Sequence, residues 1–82
     1  MPGKILLVWE EIPESVSLYV LDEGTKIAEL ALASAGFYIN SDDTEGHPIE
    51  ELNEALVGRE KLPADEVAVG PFSKVVVCGS IM

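Results

Sequence analysis

Two apolar runs of strand length lie close together near the start of the chain, and they constrain the fold more than any other feature. Ile5–Trp9 is continuously apolar, Val16–Leu21 alternates between two faces, and the short polar joint Glu10–Ser15 separates them. Residues of these types favour β-strands, and Pro13 in the joint cannot donate to a sheet ladder. The stretch Lys4–Asp22 therefore predicts a β-hairpin.

Two stretches in the middle of the chain have apolar residues at helical spacing. Thr25 is the predicted N-cap of a helix over Lys26–Ala35, which ends before Gly36. This helix is apolar nearly all round, so we expect it to be well covered. A second helix is predicted over Pro48–Val57, with proline in the favoured first position. Its apolar face consists of Ile49, Leu52 and Leu56. The second helix is therefore amphipathic, with an acidic outer face.

Further strands are predicted after each helix. Phe37–Asn40 and Val67–Val69 are short β-prone segments, and Lys74–Met82 is a final apolar strand. The resulting order, β-β-α-(β)-α-(β)-β, predicts an α/β (α+β) two-layer sandwich in which two helices pack on one face of a single sheet. That sheet is mixed or antiparallel and has about three to five strands. Residues 1–82 are expected to form one small domain.

The uninterrupted apolar runs have a consequence for the second face of the sheet. Ile5–Trp9 and Val75–Cys78 are apolar at every position, which is typical of strands that are buried on both faces. Two helices cover only one face of such a sheet. We therefore expect the other face to be covered by a second copy, by another protein or by the chain's own long loops.

The charge balance excludes several classes of partner. The chain has 15 acidic and 5 basic residues, a formal net charge of −10. Nucleic acid and anionic membranes are bound through clustered cations, so neither is expected as a direct ligand. A basic protein is the partner that this charge favours. The alternative is that the acidity only keeps an apolar small protein in solution.

The single cysteine and the short apolar runs indicate the cellular compartment in which the protein is expected. Cys78 is the only cysteine, so no internal disulfide is expected and a reducing, cytoplasmic location is favoured. The apolar run after Lys4 is too short for a secretory leader. No run reaches the roughly 18 residues that cross a bilayer.

No stretch matches a pattern for enzyme chemistry, so catalytic residues, cofactors and metals are not expected. Asn40–Glu51 partly matches a calcium loop, but Glu45 stands where the sharp turn requires glycine. His47 is the only histidine, and no spacing of a zinc site is present. Cys78 is predicted to be a small buried apolar residue.

The candidate partner-binding residues form three groups. The first group is in the loop before the second helix, the second on that helix, and the third at the end of the first strand. They are Asp42, Asp43 and Glu45; Glu50, Glu51 and Glu54; and Trp9, Glu10 and Glu11. A half-exposed tryptophan beside acids is typical of an anchor for a basic partner. The alternative is that Trp9 fills the core.

Three hypotheses about function follow. The first is a non-enzymatic protein–protein interaction module, an inhibitor whose acids imitate nucleic-acid phosphates and occupy the basic surface of a host enzyme or defence complex. In size and charge alone the chain resembles phage-encoded viral inhibitors of this kind. The second is a structural or assembly protein that forms a homodimer through its apolar sheet face, with acidity serving only solubility. The third is a small enzyme or metal protein.

Overall fold

The computed structural model of the chain describes residues 3–11, 15–39, 48–62 and 71–80. It contains four strands and two helices in the order β-β-α-β-α-β. Their bounds are β1 Lys4–Glu11, β2 Ser15–Asp22, α1 Lys26–Ala33, β3 Tyr38–Ile39, α2 Pro48–Leu56 and β4 Lys74–Ser80. The predicted fold class, one small sheet with two helices on one face, is confirmed.

The sheet is mixed and has the strand order β2-β1-β4-β3. β1 pairs antiparallel with β2 and parallel with β4, and β3 pairs parallel with β4. The hairpin predicted over Lys4–Asp22 is therefore present. The two continuously apolar strands occupy the centre of the sheet, where each has a neighbour on both sides.

The register places alternate residues of each strand on opposite faces. Leu7 of β1 is paired with Tyr19 of β2 and with Val76 of β4. One residue further along β1, Val8 is paired with Leu18 and Val77. The Leu7 row faces the helices, and the Val8 row faces the opposite side.

The hydrophobic core lies between the two helices and one face of the sheet. It combines odd positions of β1 and β2, even positions of β4, and the inner faces of α1 and α2. The cluster consists of Ile5, Leu7, Trp9, Tyr19, Leu21, Ala28, Ala31, Ile49, Leu52, Leu56, Val76 and Cys78. The apolar face predicted for the second helix is confirmed, since Ile49, Leu52 and Leu56 are all buried.

The boundaries of α1 follow from local chemistry. The Thr25 Oγ1 accepts a hydrogen bond from the Ala28 backbone N–H at 3.3 Å, which confirms the predicted N-cap. Gly36 follows the helix with φ +82°, a conformation that costs glycine little. The expectation that α1 is covered nearly all round is wrong, because Leu32, Ala33 and Ala35 are exposed. One layer of sheet buries one face of a helix and leaves the other in water.

The strands that were predicted after the helices are only partly within the described residues. Of the predicted strand Phe37–Asn40, the structure forms Tyr38–Ile39 as β3. The last strand ends at Ser80 within the described residues. The predicted strand Val67–Val69 lies outside the described residues, as do His47 and most of the Asn40–Glu51 segment.

Candidate functional site

The face of the sheet that points away from both helices is hereafter called the open face. It is built from even positions of β1 and β2, odd positions of β4, and one residue of β3. From β2 to β3 its positions are Val16, Leu18, Val20, Asp22, Lys4, Leu6, Val8, Glu10, Val75, Val77, Gly79 and Tyr38.

Six apolar side chains form two rows across the middle of the open face. Leu6 is paired with Val20 and Val75, and Val8 is paired with Leu18 and Val77. Leu6 in the central strand is only 7% exposed, whereas Val75 is 58% and Val77 36% exposed. Val16, one row further along, is 61% exposed. Exposed valines therefore lie on the two strands that flank β1, whereas Leu6 between them is buried and Val8 is half-buried.

Charged residues of the open face lie only before and after these two rows. Lys4 and Asp22 are paired in the row before Leu6, and Glu10 lies in the row after Val8. Among the described carboxylates, Glu10 and Asp22 are the ones on the open face. A chain with net charge −10 thus places its described acids mainly elsewhere. Only the two central rows are free of charge, since the open face as a whole has three charged residues among its twelve positions, close to the 24% of the chain. An uncharged centre with charges at its edge is typical of a protein interface.

The row that contains Glu10 is completed by a hydrogen bond across a glycine. Glu10 is paired with Gly79 of β4, and Gly79 is paired with Tyr38 of β3. The Tyr38 hydroxyl donates to the Glu10 Oε1 at 3.1 Å. This hydrogen bond, together with the negative charge of Glu10, raises the pKa of Tyr38 above its ordinary value. The pair holds the Glu10 carboxylate in a defined position at one end of the open face.

The structure separates the three candidate residues at the end of β1. Alternation along a strand places Glu10 on the open face and puts Trp9 and Glu11 on the other. Trp9 is 3% exposed and belongs to the core, and its indole N–H donates to the Glu11 carboxylate at 3.3 Å. The prediction of Trp9 as a half-exposed anchor is wrong, because the helices cover its side of the sheet. Glu11 itself remains exposed.

The acids of α2 are hereafter called the acidic helix face, which consists of Glu50, Glu51 and Glu54. Glu51 and Glu54 are exposed, while Glu50 is half-buried. Glu51 also lines a groove of about 310 Å³ between α1 and α2, together with Glu29 and Lys26 of α1. Carboxylates from two helices therefore share one surface. The other predicted acids, Asp42, Asp43 and Glu45, lie outside the described residues.

A second groove lies where β4 begins and α1 starts. Its volume is about 410 Å³, and its walls include Glu23, Glu29, Ser73 and Lys74. The Ser73 hydroxyl donates to the Glu23 carboxylate and also lies 3.2 Å from the Lys4 carbonyl, to which the Ser73 backbone N–H donates at 2.8 Å. These polar groups already bond one another and tie the loop before β4 to β1. We assign this groove a structural role.

Cys78 lies in the core on β4 and is fully buried. Burial raises the pKa of its thiol to about 11, so the group is protonated at neutral pH. The thiolate is the reactive form of cysteine. The prediction that Cys78 is a small buried apolar residue is confirmed.

Sequence reasoning inferred an uncovered apolar face but did not assign residues to it. Lys4, Tyr38 and the six apolar residues of its two central rows were not among the candidate site residues. Two signals could have found them. The alternation of Val16, Leu18 and Val20 marks one face of β2, and the uninterrupted runs of β1 and β4 imply two apolar faces. What was missing was the pairing register, which brings the three strands into common rows.

The comparisons with known proteins leave the family of the chain open. No family model, curated protein or solved structure matches it. In the described part of the chain, no helix has the length and apolar character required to cross a membrane. Nor do those residues bring three or more histidine, cysteine or acidic side chains together in a way that could hold a metal ion.

Proposed function

We propose that this protein is a non-enzymatic protein–protein interaction module and that the open face is its binding surface. One observation carries the proposal: on the sheet face that the helices leave uncovered, the apolar side chains of Val16, Val75 and Val77 are exposed. Burial of such surface contributes about 25 cal/mol per Å². Covering these side chains is therefore a substantial driving force for association.

The position of the open face supports this use. Both helices pack on the opposite side of the sheet, so the central strands β1 and β4 present one face to a partner without any change in the core. Flat apolar sheet faces pack against other sheets or helices with side chains interdigitating across about 10 Å. A partner that brings such a surface would complete a second core layer.

The test is site-specific photocrosslinking in cells that produce the protein. A photoreactive phenylalanine analogue is placed at Val77, on the open face, and in a second variant at Val57, which follows α2 and is 79% exposed. We expect a discrete protein adduct from position 77 and none from position 57. Equal labelling at the two positions, or no adduct at 77, would contradict the proposal.

A second candidate use is favoured by the acidic helix face. Glu51 of α2 and Glu29 of α1 line one groove, and Glu54 is exposed one turn further along α2. We propose as the alternative that this surface occupies the basic, nucleic-acid-binding groove of a host enzyme or defence complex, as an inhibitor would. Charge complementarity of this type mainly increases the rate of association and is weakened by salt.

Replacing Glu50, Glu51 and Glu54 by glutamine tests the alternative. The variant should keep its far-UV circular dichroism and should not lose thermal stability, since the replaced carboxylates lie outside the core cluster. Its binding to a basic partner at low salt should fall at least tenfold. Binding that survives unchanged would rule out the acidic helix face as the site.

A further inference from the structure

Resting on the proposed function, we infer that the partner of the open face places an arginine side chain against its Glu10 end. The receiving site, hereafter called the arginine site, consists of the Glu10 carboxylate, the ring of Tyr38 and the backbone of Gly79 between them. These three residues form one row across β1, β4 and β3. The ligand is therefore a guanidinium group of a protein, bound at the edge of the uncharged rows.

The negative charge of Glu10 has no cation from the chain's own lysines and arginines in its row. All five of these residues are within the described ranges, and they lie at the other end of the sheet, at the start of α1 or after α2. They are Lys4, Lys74, Lys26, Arg59 and Lys61. Lys4, on the same face of β1, is six residues or about 20 Å from Glu10. Because Glu10 is half-buried, a cation from a partner would offset the cost of removing its charge from water.

The hydrogen bond from Tyr38 leaves the Glu10 carboxylate able to bind a cation. An ionised carboxylate has two oxygens and about four acceptor positions. The Tyr38 hydroxyl occupies one position on Oε1, at 3.1 Å. Two parallel N–H groups of a guanidinium fit the carboxylate's remaining acceptor positions. The Tyr38 bond also holds the carboxylate in place, which lowers the entropy that is lost when a partner binds.

The side chain of Tyr38 lies along the surface of the sheet. Side chains of a strand usually stand perpendicular to the sheet, but β3 and β1 are separated by β4 and are about 10 Å apart. A Tyr38 hydroxyl that reaches Glu10 must therefore extend across Gly79. Gly79 is buried, as expected for a glycine with a ring above it. Since Tyr38 is 38% exposed, its ring is accessible to a partner.

An accessible aromatic ring beside a carboxylate favours arginine as the partner's side chain. The planar guanidinium stacks on an aromatic ring while its N–H groups bond a carboxylate, whereas the ammonium of lysine is a compact, strongly hydrated charge. Val16, paired with Glu10, is 61% exposed, and Val77 in the preceding row is 36% exposed. These valines offer apolar surface to the methylene stem of an arginine. Arginine is also enriched in protein interfaces and among their hot spots.

The experiment is an NMR titration of the protein with N-acetyl-arginine methylamide. N-acetyl-citrulline methylamide is the control ligand, because it has nearly the same shape without the charge. The arginine probe should shift the backbone amide signals of Glu10, Gly79 and Tyr38 in a saturable way, and the citrulline probe should leave them in place. Equal or larger shifts at Glu51 and Glu54 would overturn the inference, because they would indicate attraction to the net charge alone.

Three variants separate the contributions of charge and ring. Glu10→Gln keeps the size of the side chain and an acceptor for Tyr38, and it should weaken binding of the arginine probe about fivefold. Glu11→Gln is the matched control on the other face of β1 and should change binding less than about twofold. Tyr38→Leu removes the ring and should weaken binding about threefold. Circular dichroism confirms that each variant is folded. Unchanged binding in Glu10→Gln would overturn the inference.

The same substitutions, combined with the photoreactive residue at position 77, connect the arginine site to the partner. Glu10→Gln should lower the yield of the adduct about threefold or more, and Glu11→Gln should not. An adduct whose yield is unchanged by Glu10→Gln would reject the arginine site and keep the open face as a binding surface. Absence of any adduct at position 77 would reject the proposed function, and the partner's arginine with it. Saturable shifts at Glu10 together with a charge-dependent adduct would support both.

Discussion

Gly79 of β4 lies directly against the backbone of β1. A methyl group added there would overlap the backbone carbonyl of Glu10 in β1. The side chain of Tyr38 reaches across this position to Glu10, and an aromatic residue beside a strand glycine is a recognised way to cover its exposed backbone. Glycine at this position thus allows both the close strand contact and the bridge above it.

Gly79→Ala should therefore destabilise the protein by about 3 kcal/mol, the upper end of the usual cost of forcing extra atoms into a packed site, because the atom that is overlapped belongs to the backbone. Urea unfolding followed by circular dichroism measures the change. Gly58→Ala is the matched control, because its added methyl would meet open space and cost only the strain of φ +82°, about 1 kcal/mol. Equal losses in the two variants would mean that β1 and β4 are not in close contact at Gly79.

The buried thiol of Cys78 makes stability depend on alkaline pH. Burial raises its pKa from 9.0 to about 11 in the folded state. A raised folded pKa means that this contribution is fully present below about pH 9 and is lost as the pH rises towards 11. The free energy of unfolding should fall across that window, and it should fall less in Cys78→Ala.

Urea titrations at pH 8, 9, 10 and 11 would measure this difference. The quantity to compare is wild type minus variant at each pH, because this difference removes contributions that the two proteins share, such as that of Tyr38. Identical pH slopes in the two proteins would show that Cys78 is accessible to water. Native wild type should also resist thiol reagents at pH 8 and react once unfolded.

At the scale of elements, the start of α1 depends on one side chain. The Thr25 hydroxyl accepts from the Ala28 N–H and donates to the Asp22 carbonyl at 2.6 Å. It therefore satisfies an unpaired helix donor and joins α1 to the end of β2. Since α1 follows β2 after a short turn, this cap also determines where the helix meets the sheet.

Thr25→Ala should reduce the free energy of unfolding by about 1 kcal/mol, because it removes both hydrogen bonds. Thr25→Ser keeps the hydroxyl and should lie within a few tenths of a kcal/mol of wild type. Thermal unfolding monitored at 222 nm gives both values. A serine variant as unstable as the alanine variant would indicate that the methyl group, not the hydroxyl, stabilises this turn.

For the molecule as a whole, electrostatic repulsion among its own acids opposes folding. A net charge of −10 on 82 residues destabilises the compact state, because folding brings these charges closer together. Salt shortens the range of this repulsion from about 30 Å at 10 mM to about 8 Å at 150 mM.

Stability at pH 7 should therefore rise as sodium chloride is raised over this range. The measurement is urea unfolding at low micromolar protein, where self-association contributes least. Potassium chloride should give the same increase, since screening depends on ionic strength and not on the identity of the monovalent cation. A salt-independent or falling stability would mean that favourable ion pairs outweigh the repulsion.

The central strands and both helices could be predicted from the sequence, because each is indicated by residues that are close together in the chain. Continuous apolar runs indicated the central strands, the 3.6-residue spacing indicated both helices, and Thr25 and Pro48 marked the helix starts. The chain length and the number of helices also sufficed to predict a two-layer sandwich with one face uncovered by helix. Each of these inferences depends on residues that are near one another in sequence.

The residues of the open face could not be predicted in this way, because their arrangement depends on contacts between distant parts of the chain. Whether Trp9 faces the core or a partner depends on which face of β1 meets the helices, and both faces of that strand are apolar in sequence. Likewise, the rows that join Leu6 to Val75 and Val8 to Val77 exist only once β4 is paired parallel to β1, an arrangement that sets Ile5 beside Lys74, 69 residues further along the chain. Pairing register is decided by the packing of the whole sheet, and no local pattern in this chain specifies it.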